Sequence, residues 1–76
     1  MSAINFTRYG IELTEGVENI TSIGYVDGKG DHGLFSQIIV TLSDGKTYYG
    51  PLKNGSGALS DMHELSREWE RLGGGK

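Results

Sequence analysis

From Leu34 to Leu42 the chain alternates between two sets of residues: Leu34, Ser36, Ile38, Val40 and Leu42 in one phase, Phe35, Gln37, Ile39 and Thr41 in the other. A period of two is that of a β-strand, whose successive side chains leave opposite faces of the pleat. Asp44-Gly45 follows at once and signals a two-residue type I′ turn, in which both central residues need positive φ. Counting outward from such a turn pairs Leu42 with Thr47, Thr41 with Tyr48 and Val40 with Tyr49. Paired residues share a face. One face is therefore expected to carry Ile38, Val40, Leu42, Thr47 and Tyr49, and the other Phe35, Ile39, Thr41 and Tyr48.

Pro51 withdraws a backbone donor and ends the second strand of this hairpin. Upstream, the β-branched and aromatic run Ile20–Val26 is expected to pair with the 34–42 strand through a loop over 27–33, giving a three-stranded meander. In the N-terminal stretch Ile4 and Phe6 are in one phase and Tyr9, Ile11 and Leu13 in the other. A slip near Gly10 fits a bulged strand or two short strands around a turn.

The period then changes. Ala58, Met62, Leu65, Trp69 and Leu72 are spaced by four, three, four and three, one apolar stripe of a helix. Ser56 or Ser60 can cap its start, Asp61 and Glu64 place negative charge in its first turn, and Gly73 supplies its stop. Glu64, Arg67, Glu68 and Arg71 form its solvated face. These elements predict an α+β fold, a small antiparallel sheet of three to four strands in a meander with one C-terminal α-helix packed on one face. The stripe is expected to lie against Ile38, Val40 and Tyr49. Residues 1–72 form a single domain in this reading and 73–76 a flexible glycine-rich tail.

Stability is the difficulty for 76 residues. A single core of this length supplies about 3 to 5 kcal/mol, and with no cysteine the chain has neither disulfides nor thiolate metal sites. A net charge of −3 disfavours a phosphate backbone as main ligand, so nucleic acid is not an expected partner. No apolar run approaches the roughly 18 residues of a membrane span, and the start has no signal-peptide pattern. A soluble cytoplasmic protein is expected, with no membrane partner.

Chemical motifs are weak. Gly28-Lys29-Gly30-Asp31-His32-Gly33 spells G-x-G-x-x-G, but the dinucleotide fingerprint needs a helix next, and a strand follows. Kinase-type phosphate loops fail on size. A calcium loop fails because Lys29 and Ile38 stand where ligands are required, and His32 with His63 makes a poor zinc site. No nucleophile sits in a recognisable elbow. The expectation is no enzyme, no catalytic residue, no cofactor and no metal.

Two functional readings follow. One amphipathic helix covers one side of a sheet, yet both faces of the hairpin carry large apolar groups. Phe35, Ile39 and Tyr48, with Ile23 or Tyr25 beside them, are left without cover and mark a protein interface. The first reading is a protein-binding module of adaptor or inhibitor type, working through that face as a homo-oligomer. The second is a binder of a phosphate-bearing small ligand or nucleotide, held by Gly28, Lys29 and Gly30 together with Lys53, Gly55, Ser56 and Gly57 at the helix start.

Overall fold

The computed structural model describes residues 2–31 and 33–74. Strands β1 (Ala3–Asn5) and β2 (Thr14–Gly16) form a small antiparallel hairpin around a 3-10 turn at Thr7–Tyr9. A second 3-10 turn, Val17–Asn19, leads into β3 (Ile20–Gly30), β4 (Gly33–Leu42), β5 (Thr47–Tyr49) and β6 (Lys53–Asn54), and the chain ends in α1 (Gly57–Arg71). β3, β4 and β5 are antiparallel neighbours in that order, and β6 pairs β4 beyond β5. The fold is α+β, and the N-terminal stretch takes the two-strand form, with Gly10 at φ +88° closing its turn. No helix among the described residues is long and apolar enough to cross a membrane.

The β4–β5 turn holds three residues, one more than expected. Leu42 N–H donates to Lys46 O at 2.9 Å, Gly45 N–H to Leu42 O at 3.0 Å, and Lys46 N–H to the Asp44 carboxylate at 2.9 Å. Gly45, at φ +93°, is the left-handed residue that closes a three-residue loop. The pairing becomes Thr41 with Thr47, Val40 with Tyr48 and Ile39 with Tyr49. A one-residue change of register moves every side chain to the other face. Tyr48 therefore joins Val40 at the core, and Tyr49 turns outward.

Pro51 interrupts this outer strand. Between the Val40–Tyr48 pair of β5 and the Phe35–Asn54 pair of β6 the outer strand advances six residues against five on β4, so one extra residue is taken up beside the proline. The expected loop over 27–33 is also shorter than predicted, because β3 stays paired through Gly30, opposite Gly33.

All packing lies on one side of the sheet. Ser36, Ile38, Val40 and Leu42 are buried on that face, with Ile23 beside Val40. Against them sit Ala58 and Leu65 of α1 and Ile4, Phe6, Tyr9, Ile11 and Val17 of the N-terminal unit, with Met62, Trp69, Leu72 and Tyr48 at the margin. Trp69 ties the two covering layers together by donating its indole N–H to Val17 O at 3.1 Å. The helical stripe read from the sequence is this contact, made to β4 and β3, and Tyr49 has no part in it.

The start of α1 differs in detail from expectation, whereas Gly73 ends it as expected. The helix starts at Gly57, so Asp61 and Glu64 lie beyond its first turn, and neither Ser56 nor Ser60 supplies a side-chain cap. The cap comes from the sheet: the buried Ser36 hydroxyl accepts from Ala58 N–H at 3.1 Å. Ser36→Ala should cost about 1 to 3 kcal/mol, because it orphans a buried amide. A lowered urea midpoint at unchanged slope is the expected reading. At the other end Gly73 N–H bonds Glu70 O and Gly74 N–H bonds Trp69 O, with Gly73 at φ +103°, a Schellman stop. Gly73 and Gly74 thus hydrogen-bond to the last turn of the helix; Gly75 and Lys76, the rest of the expected tail, lie outside the described residues, as does His32.

Candidate functional site

The side of the sheet away from α1 has no cover from the described residues. Its positions follow from the pairing in rows across the strands. Ser22, Thr41 and Thr47 make a polar row at one end. Gly24, Ile39 and Tyr49 come next, then Val26 and Gln37, then Gly28, Phe35 and Asn54. No charged residue occurs in these rows, although Asp and Glu number 10 and Lys and Arg 7 in the chain. The charges of β3 and β6 go to the other face, where Asp27 and Lys53 flank Ser36.

The face is apolar as well as uncharged. Tyr49 is 59% exposed, Val26 38%, and Leu52 63%, while Phe35 and Ile39 are half-buried. Leu52 and Phe35 share the wall of a shallow pocket of about 290 Å³ at the end of the sheet with Leu34 and Gly30, and Lys53 and Asn54 complete its lining. Phe35 owes its partial cover to Gly28. A Cβ at Gly28 would stand 2.6 Å from the tip of the Phe35 ring, so the ring tip occupies the space that a side chain there would fill. Gln37 spans the sheet by donating to Gly50 O at 3.0 Å.

Of the four residues expected at the interface, Phe35 and Ile39 are on this face. Tyr48 is not, because the longer turn places it with Val40. Nor is Tyr25, which pairs with Ile38 and therefore projects on the helix side. Val26, Tyr49 and Leu52 take their places. Val26 was within reach of sequence reasoning, since it alternates with Gly24 and Gly28. Tyr49 was not, because its face depends on the length of the turn.

The two glycine-rich segments flank the first residues of β4. Gly28, Lys29 and Gly30 pair on one side, with Phe35, Leu34 and Gly33, and Gly55 N–H donates to Leu34 O at 2.9 Å on the other. They share one end of the sheet, but Gly28–Gly30 is strand and not a phosphate-cradling loop. Lys53 is in an ion pair with Asp61, and Gly57 packs against the Lys53 stem. Among the described residues no cluster of His, Cys, Asp or Glu could hold a metal ion.

One titratable group is perturbed. Burial, then the Glu64 carboxylate, push the Tyr9 phenol above its ordinary value, while Arg8, 5.6 Å from the ring centre, opposes the shift. A raised phenol favours the neutral form in the folded state. Its contribution to stability is full below about pH 10 and is lost as pH rises through the folded value. Phenolate absorbance should contain a late-titrating component that Tyr9→Phe removes.

Comparison of the chain with models of known protein families, with characterised proteins and with solved structures finds no match.

Proposed function

We propose that this protein is a non-catalytic interaction module that self-associates through its helix-free sheet face as a symmetric homodimer. The supporting observation is the absence of charge from a face bearing Val26, Phe35, Ile39, Tyr49 and Leu52. The second side of a solvated antiparallel sheet ordinarily alternates to polar and charged residues. An uncharged apolar patch suits its own copy, since an isologous contact needs a self-complementary surface. Burying it in a dimer adds the apolar area that a core of this length lacks. The acidic balance of the remaining surface suits an adaptor or inhibitor that covers a basic partner.

A phosphate-bearing ligand at the glycine-rich segments finds less support, because Lys53 is neutralised by Asp61.

Light scattering on purified protein at tens of micromolar should give the dimer mass. Ile39→Glu should reduce it to the monomer, since it buries a carboxylate at the centre of the contact. Arg67→Glu, on the exposed face of α1, should leave the mass unchanged. A wild-type mass of one chain at that concentration ends the proposal.

A further inference from the structure

A different surface, the outer edge of β3, points to a second partner. In β4 the backbone groups of even-numbered residues turn toward β5 and β6: Ile38 O accepts from Gly50 N–H, Leu34 O from Gly55 N–H, and Leu42 N–H donates to Lys46 O. Odd-numbered residues therefore turn toward β3, where Gly24, Val26 and Gly28 answer Ile39, Gln37 and Phe35. The amides and carbonyls of Ile23, Tyr25 and Asp27 are left pointing out from the free edge of the sheet. Among the described residues no strand lies on that side, and no proline occurs along β3. Unpaired edges of this kind are templates for strand addition.

Beside this edge a groove of about 600 Å³ opens on the helix side of the sheet. Its apolar lining is Val17, Ile20, Ile23 and Trp69, and its rim carries Glu18 and Glu70, both exposed. A residue placed opposite Ile23 on an added antiparallel strand shares the face of Ile23, and so enters the groove beside Trp69. Regular alternation along β3 runs from Ser22, because Thr21 is the extra residue of a bulge, and the carboxylates of Glu18 and Glu70 in the same groove favour basic residues beside the apolar one.

We infer that the β3 edge and the Trp69 groove bind an extended peptide segment of a partner protein, in which one large apolar residue is flanked at alternate positions by lysine or arginine. Main-chain hydrogen bonds to Ile23, Tyr25 and Asp27 supply the affinity and the groove supplies the choice of side chain, as in other strand-addition complexes. A second copy is the poorer occupant, because it brings the same two rim glutamates and a net charge of −3. The site is independent of the helix-free face and stands whether or not the chain dimerises there.

Trp69 is the only tryptophan, so its emission reports the groove directly. The probe is acetyl-Thr-Lys-Thr-Leu-Thr-Lys-Thr-amide, which sets leucine and both lysines on one face. Titration into the full chain should shift Trp69 emission saturably below about 1 mM. The same peptide N-methylated at leucine and both lysines should bind at least about tenfold more weakly, as should one with glutamate for lysine. Tyr25→Pro removes an edge donor without touching the β4 ladder and should abolish the response while far-UV dichroism stays native. Glu18→Lys with Glu70→Lys, both exposed, should weaken binding about tenfold or more without altering the fold. No saturable shift, or equal binding of the N-methylated peptide, overturns the inference. So does a dimer mass that survives Ile39→Glu and is lost in Tyr25→Pro, which would assign the edge to a second copy.

Discussion

Phe6→Ala is expected to leave most of the protein unfolded at 25 °C. Phe6 is fully buried between the sheet and the N-terminal unit, and its backbone organises that unit: its N–H donates to Leu13 O at 2.8 Å, and its carbonyl accepts from Tyr9 N–H at 2.9 Å and Ile11 N–H at 3.3 Å. Truncating a buried phenylalanine costs about 3 to 5 kcal/mol, as much as a core of this length supplies in total. Far-UV dichroism and urea titration at matched concentration should lose the cooperative transition. Phe6→Leu, which keeps most of the volume, should cost about 1.5 kcal/mol or less and retain it. A cooperative transition in Phe6→Ala with a loss under about 1 kcal/mol would place the core elsewhere.

The second large effect concerns Gly10. Its φ of +88° is a conformation that side chains avoid, and a Cβ there would stand 2.7 Å from two atoms of the Pro51 ring. Gly10→Ala therefore combines a left-handed penalty of about 1 to 2 kcal/mol with overpacking of about 1 to 3 kcal/mol. A loss of roughly 2 to 5 kcal/mol is expected. Gly55→Ala separates the two causes, because Gly55 has φ +59° but open space where its Cβ would stand. That variant should lose only about 1 to 2 kcal/mol. Equal losses in the two variants would mean that Pro51 yields freely, and that the contact between the N-terminal turn and the outer strand contributes little.

That contact also explains what Pro51 does. Its missing N–H ends β5, as the sequence implies, but the ring then seats against Gly10 while the strand resumes as β6 one residue out of register. The bulge keeps Lys53 on the helix side, beside Asp61, and carries Asn54 to the open face beside Phe35. A proline at a strand end is legible in a sequence. Its tertiary neighbour is not, since Gly10 lies forty-one residues away.

The residues expected on the open sheet face divide along the same line. Phe35 and Ile39 were legible because their phase within β4 is fixed by the phase of Ile38 and Val40, which must be inside. Tyr48 and Tyr49 differ by one position, and their faces depend on whether Ser43 belongs to the strand or the turn. Asp44-Gly45 serves both turn types, so the dipeptide alone could not choose. Tyr25 was misplaced for a related reason: adjacent aromatic and β-branched residues in Tyr25-Val26 leave the phase of β3 open until its pairing with β4 is known.

Read alone, the residues determined the periods: two through 34–42, three to four through 58–72, and hence a sheet with one helix across it. Periodicity is a local property, repeated over enough positions to survive any single exception. Tertiary structure decided what depends on parity and on distant partners: which tyrosine faces outward, that the N-terminal unit shares the helix side, and that one sheet face is left uncharged and uncovered. Those outcomes turn on single-residue register and on contacts across the chain, where packing against a common core, and not local preference, selects among arrangements that the sequence accommodates equally well.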